Sequence, residues 1–316
     1  MTYAELLADN QRLRKRIIEL EQENARLKGL GEPLLPESKS PTLESHKSLT
    51  EEEKEIELRR RVNLFRSLFR GREDVYAQRF VTKDGKRGYQ PVCRNRWSIE
   101  CKAHKYKCEG CAHRDLVPLD DAIIRRHLHK GAKETDIIGL FPIMEDNTCF
   151  FLCADFDDKN CQHGYKDDVL SYVGVCNDWN IPVYIERSRS GNGAHLWIFF
   201  SEPVSAALAR KLGFAILGSA MERNVQLDMK SYDRFFPNQD FVPNGGFGNL
   251  VALPLQGDAK LKGNSLFTDE NFEVYKSQWA FLSSVRKLSG HDVSALLAQH
   301  NCRLELSSSS DTKPWA

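Results

Sequence analysis

The 316-residue chain has no run near the ~20 consecutive apolar residues that a membrane-spanning helix needs. Its N-terminus is polar and charged and has no secretory signal pattern, so a cytoplasmic location is expected. Neither sign of charge dominates. Lys and Arg number 45 against 44 Asp and Glu, a net charge of +1, which excludes a uniformly basic nucleic-acid coat. The nine cysteines are odd in number and follow no signal peptide, which argues against a disulfide framework. No internal repeat is visible. The 41% hydrophobic content is that of an ordinary soluble globular protein, and the length suffices for one large domain or two ordinary ones.

Residues 3–28 carry a heptad pattern. Leu6, Leu13, Leu20 and Leu27 fall at d, and Tyr3, Asn10, Ile17 and Asn24 at a. The flanking pairs Asp9–Arg14, Arg16–Glu21 and Glu23–Lys28 are each opposite in sign. Asn at a and complementary charges at e and g favour a parallel homodimer in one register; a single docked amphipathic helix is the alternative. Residues 29–49, with three Pro, two Gly and four Ser, form a linker. Thr50 followed by Glu51, Glu52 and Glu53 opens a helix that should end near Gly71.

Beyond it, hydrophobic patterning predicts strands at Phe150–Phe156, Val183–Arg187, His195–Phe200 and Asn249–Leu255. Helices are expected at Lys166–Trp179 and Val204–Glu222. The order β-α-β-β-α-β is that of a ferredoxin-like or RNA-recognition-type sheet. After His300 the chain turns polar and Ser-rich.

The apolar strand from Cys149 runs directly into Asp155 and Asp157. Residues i and i+2 of a strand face the same side, so the two carboxylates point together and Phe156 points away. Such a pair repels itself, and a hard divalent cation, Mg²⁺ or Mn²⁺, relieves the repulsion. Two such ions serve an in-line phosphoryl transfer. A basic Gly-rich turn follows, from Arg187 and Arg189 through Ser190, Gly191, Asn192 and Gly193 to His195. Turns of this kind present positive charge and backbone N–H groups to phosphate oxygens. A third carboxylate would complete the metal site, and Asp228, Asp233 and Asp240 are placed to supply it.

Between Arg79 and Lys130 thirteen Lys or Arg stand against six Asp or Glu. Cys93, Cys101, Cys108 and Cys111 lie inside this basic stretch. The C-x2-C end supplies two thiolates to a tetrahedral Zn²⁺ and the upstream pair closes the site, with His104 or His113 as substitutes. A structural zinc there would hold Arg94, Arg96, Lys105 and Lys107 near a nucleic-acid strand.

As a set, these segments resemble the archaeo-eukaryotic primase superfamily, whose pattern is D-x-D, a Gly-rich turn ending in His, and a later acid. The wording from Ser231-Tyr232-Asp233-Arg234-Phe235-Phe236-Pro237 to Gly245-Gly246-Phe247-Gly248 is most similar to the primase domain of TOTE conflict systems and CRISPR-associated primase-polymerases. The TOTE-type primases resemble the cysteine pattern too. Gly193 departs from the superfamily, many of whose members have Ser two residues before the His.

The resemblance implies an α+β fold in which an N-terminal α/β layer packs on an RNA-recognition-like (ferredoxin-like) sheet, with a zinc-binding insertion and a coiled coil. The expected boundaries are a coil over 1–28, a linker over 29–49, a catalytic domain over 50–290 with its zinc-binding segment at 93–113, and a tail or linker over 291–316. Asp155, Asp157 and Asp233 would hold the catalytic Mg²⁺ or Mn²⁺, which favours Asp233 as the third acid. Arg189, Ser190, Gly191, Asn192 and His195 would hold an incoming triphosphate. The activity implied is templated phosphodiester synthesis from NTPs or dNTPs on single-stranded DNA, in some relatives alongside a fused helicase. An inactive nucleic-acid-binding or dimerisation module and a metal-dependent nuclease are the competing readings.

Overall fold

The structure is a computed structural model that describes residues 50–158, 164–223 and 229–300. The expected coil, the linker, Asp228 and the segment after His300 lie outside the described residues. In chain order the elements are α1 (Glu51–Leu68), β1 (Ala77–Val81), β2 (Arg87–Pro91), α2 (Ile99–Ala103), α3 (Asp121–Leu128), β3 (Ile138–Leu140) and β4 (Thr148–Asp157). Then come α4 (Tyr165–Asp178), β5 (Tyr184–Arg187), β6 (Gly193–Ser205), α5 (Ala206–Arg223), β7 (Tyr232–Phe236) and β8 (Val251–Ala252). The last are α6 (Gly257–Leu261), β9 (Leu266–Thr268), α7 (Gln278–Ser283) and α8 (Gly290–Gln299). Among the described residues no helix is long and apolar enough to cross a membrane.

Two antiparallel sheets result. The larger has the order β7-β4-β6-β5-β9 and the smaller β2-β1-β3-β8. The larger sheet is buried on both faces, which explains why β4 and β6 read as nearly continuous apolar runs. Leu152, Ala154 and Phe156 of β4, with Leu196, Ile198 and Phe200 of β6, pack against the helical layer of α4 and α5. The alternate residues Phe151, Cys153, Trp197 and Phe199 pack on the other side with Phe65 and Phe69, and with Leu140 and Val251 of the smaller sheet. Phe69 meets Trp197 edge-on at 5.0 Å between ring centroids and Phe199 at 5.5 Å. Asp155 and Asp157 continue the second of these alternations, so they face the smaller sheet.

α1 starts and ends close to where the sequence placed it. Acidic Glu51, Glu52 and Glu53 occupy its first turn, where they complement the helix dipole, and Val62, Phe65 and Leu68 form its buried face. Gly71 follows because a Cβ there would lie 2.4 Å from the carbonyl oxygen of Phe141.

Two expectations are corrected. The strand foreseen at Asn249–Leu255 does not complete the larger sheet. Only Val251–Ala252 is strand, and it pairs with β3 in the smaller sheet. The position beside β4 is taken by Tyr232–Phe236. A register shift between Asp155 and Phe156 breaks the two-residue alternation there, and Asp233 and Arg234 interrupt the apolar pattern, so the strand was hidden. The boundary at residue 291 cuts through α8. Its N-terminus is a capping box, with the Ser289 hydroxyl accepting from the Asp292 N–H at 3.1 Å and Asp292 accepting from the Ser289 N–H at 2.8 Å. Val293 and Leu297 of this helix are buried in the helical-layer core.

His127 ties α3 to the smaller sheet. Its Nε2 lies 2.9 Å from the Pro254 carbonyl, and its Nδ1 accepts from the Ile138 N–H at 3.2 Å. These partners fix a neutral ring protonated at Nε2, and burial pushes its pKa down to about 4. The unfolded chain binds a proton near pH 6.5 that the folded chain refuses until about pH 4. The contribution is therefore complete above 6.5 and is lost as pH falls through that window, by about 3 kcal/mol. Urea unfolding of wild type and His127→Leu at pH 7 and pH 4.5 should show a flatter pH dependence in the variant; parallel profiles would contradict this account.

Candidate active site

The ladder between β4 and β6 sets Asp155 opposite His195 and Asp157 opposite Gly193. On its other edge β4 meets β7, with Asp155 opposite Arg234. Asp157 is anchored through its backbone, whose N–H donates to the Ser231 carbonyl at 2.7 Å. Ser231 is itself held by buried Asp168 of α4, which accepts from the Ser231 N–H at 3.2 Å and from its hydroxyl at 2.5 Å. The acidic edge of β4 and the approach to β7 are thus fixed by a side chain from the helical layer.

Gly193 is required by this register. A Cβ there would lie 2.3 Å from the Phe156 carbonyl oxygen, so no side chain fits without moving β6 away from β4. The preceding turn is self-contained. The Ser188 N–H donates to Gly193 O at 2.9 Å, the Gly191 N–H to Ser188 O at 3.0 Å, and the Asn192 N–H to Ser190 Oγ at 3.2 Å. Gly191 holds the left-handed backbone (φ 84°) that closes the turn. What the turn presents is therefore side chains more than amides: exposed Ser190 and Asn192, and Arg189. Arg187 points elsewhere and donates to the carbonyls of Gly263 at 2.9 Å and Phe272 at 2.6 Å.

His195 lies between two carboxylates. Its Nδ1 is 3.0 Å from Glu186 Oε2 and its Nε2 is 3.5 Å from Asp155 Oδ1. Glu186 is 1% exposed and also accepts from Trp197 Nε1 at 2.9 Å and from the Ser265 hydroxyl at 3.3 Å. Burial opposes charge on the His195 ring, but Glu186, with Asp155 and Asp157, reverses this and lifts its pKa to about 9. The ring is then an imidazolium whose Nε2–H faces the acid pair. Burial also raises Asp155, to about 6; His195 counters the shift, and the nearby Asp157 and Asp233 add to it. Asp233 is exposed on β7 and accepts from Arg234 Nε at 2.9 Å.

Sequence reasoning missed Glu186 and a group of arginines. Glu186 pairs with His195 across the β5–β6 hairpin, so the hairpin register alone would have found it. Arg189 is pushed down by burial and by the neighbouring Arg79, with Tyr89, Glu134 and Arg87 also close. Arg79 Nε and Arg87 Nε lie 3.1 Å and 3.6 Å from the same Glu134 oxygen. Three guanidinium groups thus gather around one carboxylate beside the turn. Arg79 and Arg87 lie 116 and 108 residues before His195 in the chain, so no local motif could reveal them.

The four cysteines converge. Cys93, Cys101, Cys108 and Cys111 line one small cavity together with His113. His104 is engaged elsewhere, with its Nδ1 3.0 Å from the Lys107 carbonyl. Burial pushes the Cys108 thiol up, Arg96 counters this, and the other three cysteines add to the rise. The Gly-rich loop after β7 docks on this segment, for Gly245 O accepts from the Gly110 N–H at 3.1 Å and from Arg114 at 2.7 Å. Among the described residues no three His, Cys, Asp or Glu side chains close around a single ion position as they stand.

The fold and its cleft define a class: an α+β protein with two acids on a strand edge, faced by a part-buried imidazolium and bordered by arginines. Residues 60–296 match the family described as "TOTE conflict system, Archaeo-Eukaryotic Primase domain", and the chain belongs to it. No curated protein sequence matches the chain. Among solved structures it is similar to the polymerase domain of Mycobacterium tuberculosis ligase D in complex with DNA, at 14% identity and a TM-score of 0.36, over 78% of this chain and 89% of that one. It is also similar to the primase-polymerase domain of cyanophage S-2L, at 13% identity and a TM-score of 0.26, over 72% of this chain and 97% of that one.

Glu186→Gln should lower the His195 pKa from about 9, because the burial that disfavours the charged ring remains when its chief counter-charge is gone. Imidazole ¹H–¹⁵N correlation spectra across pH read this directly; an unchanged titration would show that Glu186 does not hold the proton.

Proposed function

We propose that the chain is a template-dependent primase-polymerase, a nucleotidyltransferase that joins nucleoside triphosphates on single-stranded DNA. The observation that carries this is the apposition of Asp155 and Asp157 with His195, whose Nε2 lies 3.5 Å from Asp155. The Asp155 carboxyl, raised by burial and further by the neighbouring Asp157, forms with Asp157 a hard-oxygen donor set that fits Mg²⁺ or Mn²⁺. Asp155, Asp157 and Asp233 would hold the ions, which supply positive charge where a phosphate oxygen gathers negative charge.

The chain's own residues do the rest. The His195 Nε2–H donates to a phosphate oxygen of the incoming nucleotide, and Glu186 keeps that proton in place. Arg189, with Ser190, Gly191 and Asn192 around it, borders the triphosphate site, and Arg79 and Arg87 extend the positive field. Fixed charges of this kind need no reorganisation when the reaction occurs. A 3′-hydroxyl oxygen bonds to the α-phosphorus and loses its proton to solvent, the bond from the α-phosphorus to the bridging oxygen breaks, and pyrophosphate leaves with that electron pair.

Cys93, Cys101, Cys108 and Cys111, with His113 beside them, are the donor types of a structural Zn²⁺ site and would hold the ion if their side chains closed on one point. Residues 3–28 would pair two chains, and a helicase is the expected associate. Neither proposal bears on the chemistry.

Nucleotide incorporation on unprimed single-stranded DNA tests the reading, with NTPs and dNTPs supplied separately in Mn²⁺ or Mg²⁺. Wild type should yield product, and Asp155→Ala/Asp157→Ala should reduce it by at least roughly a thousandfold. No product under any condition from a chain that still binds template would leave a binding module. Strand cleavage without nucleotides would make the chain a nuclease.

A further inference from the structure

The cysteine segment exposes two aromatic rings that packing does not explain. Trp97 is 62% exposed and Tyr106 is 40% exposed. Their ring centroids are 5.2 Å apart, at an angle of 60°. Arg96 lies over both, 5.0 Å from the Trp97 ring centre and 5.8 Å from that of Tyr106. Its Nε is buried and finds no acceptor among the described residues. Trp97 and Tyr106 hold left-handed backbone, with φ of 79° and 59°. That conformation is uncommon for a bulky residue, and where no core packing compensates for it, a functional constraint is the usual cause.

The three residues line an open cavity of about 910 Å³ together with Phe80 and Tyr89 of the β1–β2 hairpin and Phe247. This is at the upper end of ligand pockets, roughly 300–1,000 Å³. Arg79 lies over the Tyr89 ring at 5.6 Å, and Arg189 feels the charge of both Arg79 and Tyr89. The cavity therefore borders the arginine group beside the Gly-rich turn. Lys105 and Lys107 flank Tyr106 in the chain, Lys102 lies four residues before it, and all three are exposed.

Exposed aromatic faces beside a guanidinium and a row of lysines match the chemistry of an unpaired nucleic-acid strand. The rings stack on bases, which all have a π-face, and the cations follow the phosphates. We propose that Trp97 and Tyr106, backed by Arg96, form a stacking platform for unpaired bases of single-stranded DNA, with the strand lying along the cavity toward Arg189. A protein partner would also use Trp, Tyr and Arg, but the lysine row and the continuity with the arginine group favour a polyanion. The proposal rests on the polymerase reading only for the direction in which the strand runs.

Fluorescence anisotropy with a labelled oligothymidylate, without nucleotides or divalent metal, separates this from catalysis. Trp97→Ala should weaken binding roughly tenfold at every salt concentration, and Trp97→Phe should restore it to within about threefold. Lys102→Gln/Lys105→Gln/Lys107→Gln should instead flatten the dependence of log affinity on log salt by about 2. An abasic residue moved along the oligonucleotide should locate one or two sensitive positions on wild type, and their effect should vanish in Trp97→Ala. Abasic scanning on wild type alone decides the matter if Trp97→Ala fails to fold. No binding, equal affinities for wild type and Trp97→Ala, or no sensitive position would each overturn the platform. A platform that behaves as proposed in a chain that incorporates no nucleotide would overturn only the polymerase reading.

Discussion

Asp155 lies opposite His195 in the ladder between β4 and β6, and the cleft is arranged around that pairing. A carboxylate that is mostly buried beside Asp157 and Asp233 is a costly group, and its raised pKa reports the cost. The imidazolium of His195 offsets part of it. That imidazolium is held chiefly by Glu186, itself buried and bonded to Trp197 and Ser265, on the far side of the ring. A chain of alternating charges thus runs from the core to the cleft, and the remaining repulsion between the acids is what a divalent cation would relieve. One residue of slip in the β4–β6 register would turn Asp155 toward the helical layer and dismantle the arrangement. Gly193 guards that register, because a side chain there would strike the Phe156 carbonyl.

The two-sided burial of the larger sheet serves the same end. Trp197 packs against Phe151, Phe69 and Phe199 on the side that faces the smaller sheet, and its indole N–H continues into the Glu186 network. One side chain therefore joins the inter-layer core to the proton on His195. On the helical side, Asp168 reaches through Ser231 to the backbone of Asp157. The acids are positioned from both layers, which is how a strand edge acquires the rigidity that charge-based catalysis requires.

Local features were legible in the sequence and distant ones were not. The alternation through Cys149–Asp157 placed Asp155 and Asp157 on one face, and the helices at Tyr165–Asp178 and Ala206–Arg223 fell within a few residues of their expected bounds. Tyr232–Phe236 escaped because a bulge and two charged residues broke its period, and the more regular Asn249–Leu255 was read as strand in its place. The start of α8 is legible locally, since Ser289 and Asp292 form its capping box ahead of the apolar Val293 and Leu297. The gathering of Arg79, Arg87 and Arg189 around Glu134 depends on how the two sheets meet, and no local pattern encodes that.

Binding of Mn²⁺ by the nucleotide-free chain, followed by electron paramagnetic resonance, tests most directly whether the acid pair is built for a cation. Wild type should sequester the ion, and Asp155→Asn and Asp157→Asn should each weaken binding at least roughly tenfold while the Trp197 environment stays unchanged by near-ultraviolet dichroism. Equal Mn²⁺ affinity in wild type and both variants would mean that the carboxylates hold no metal, and the account of the cleft would fail with them.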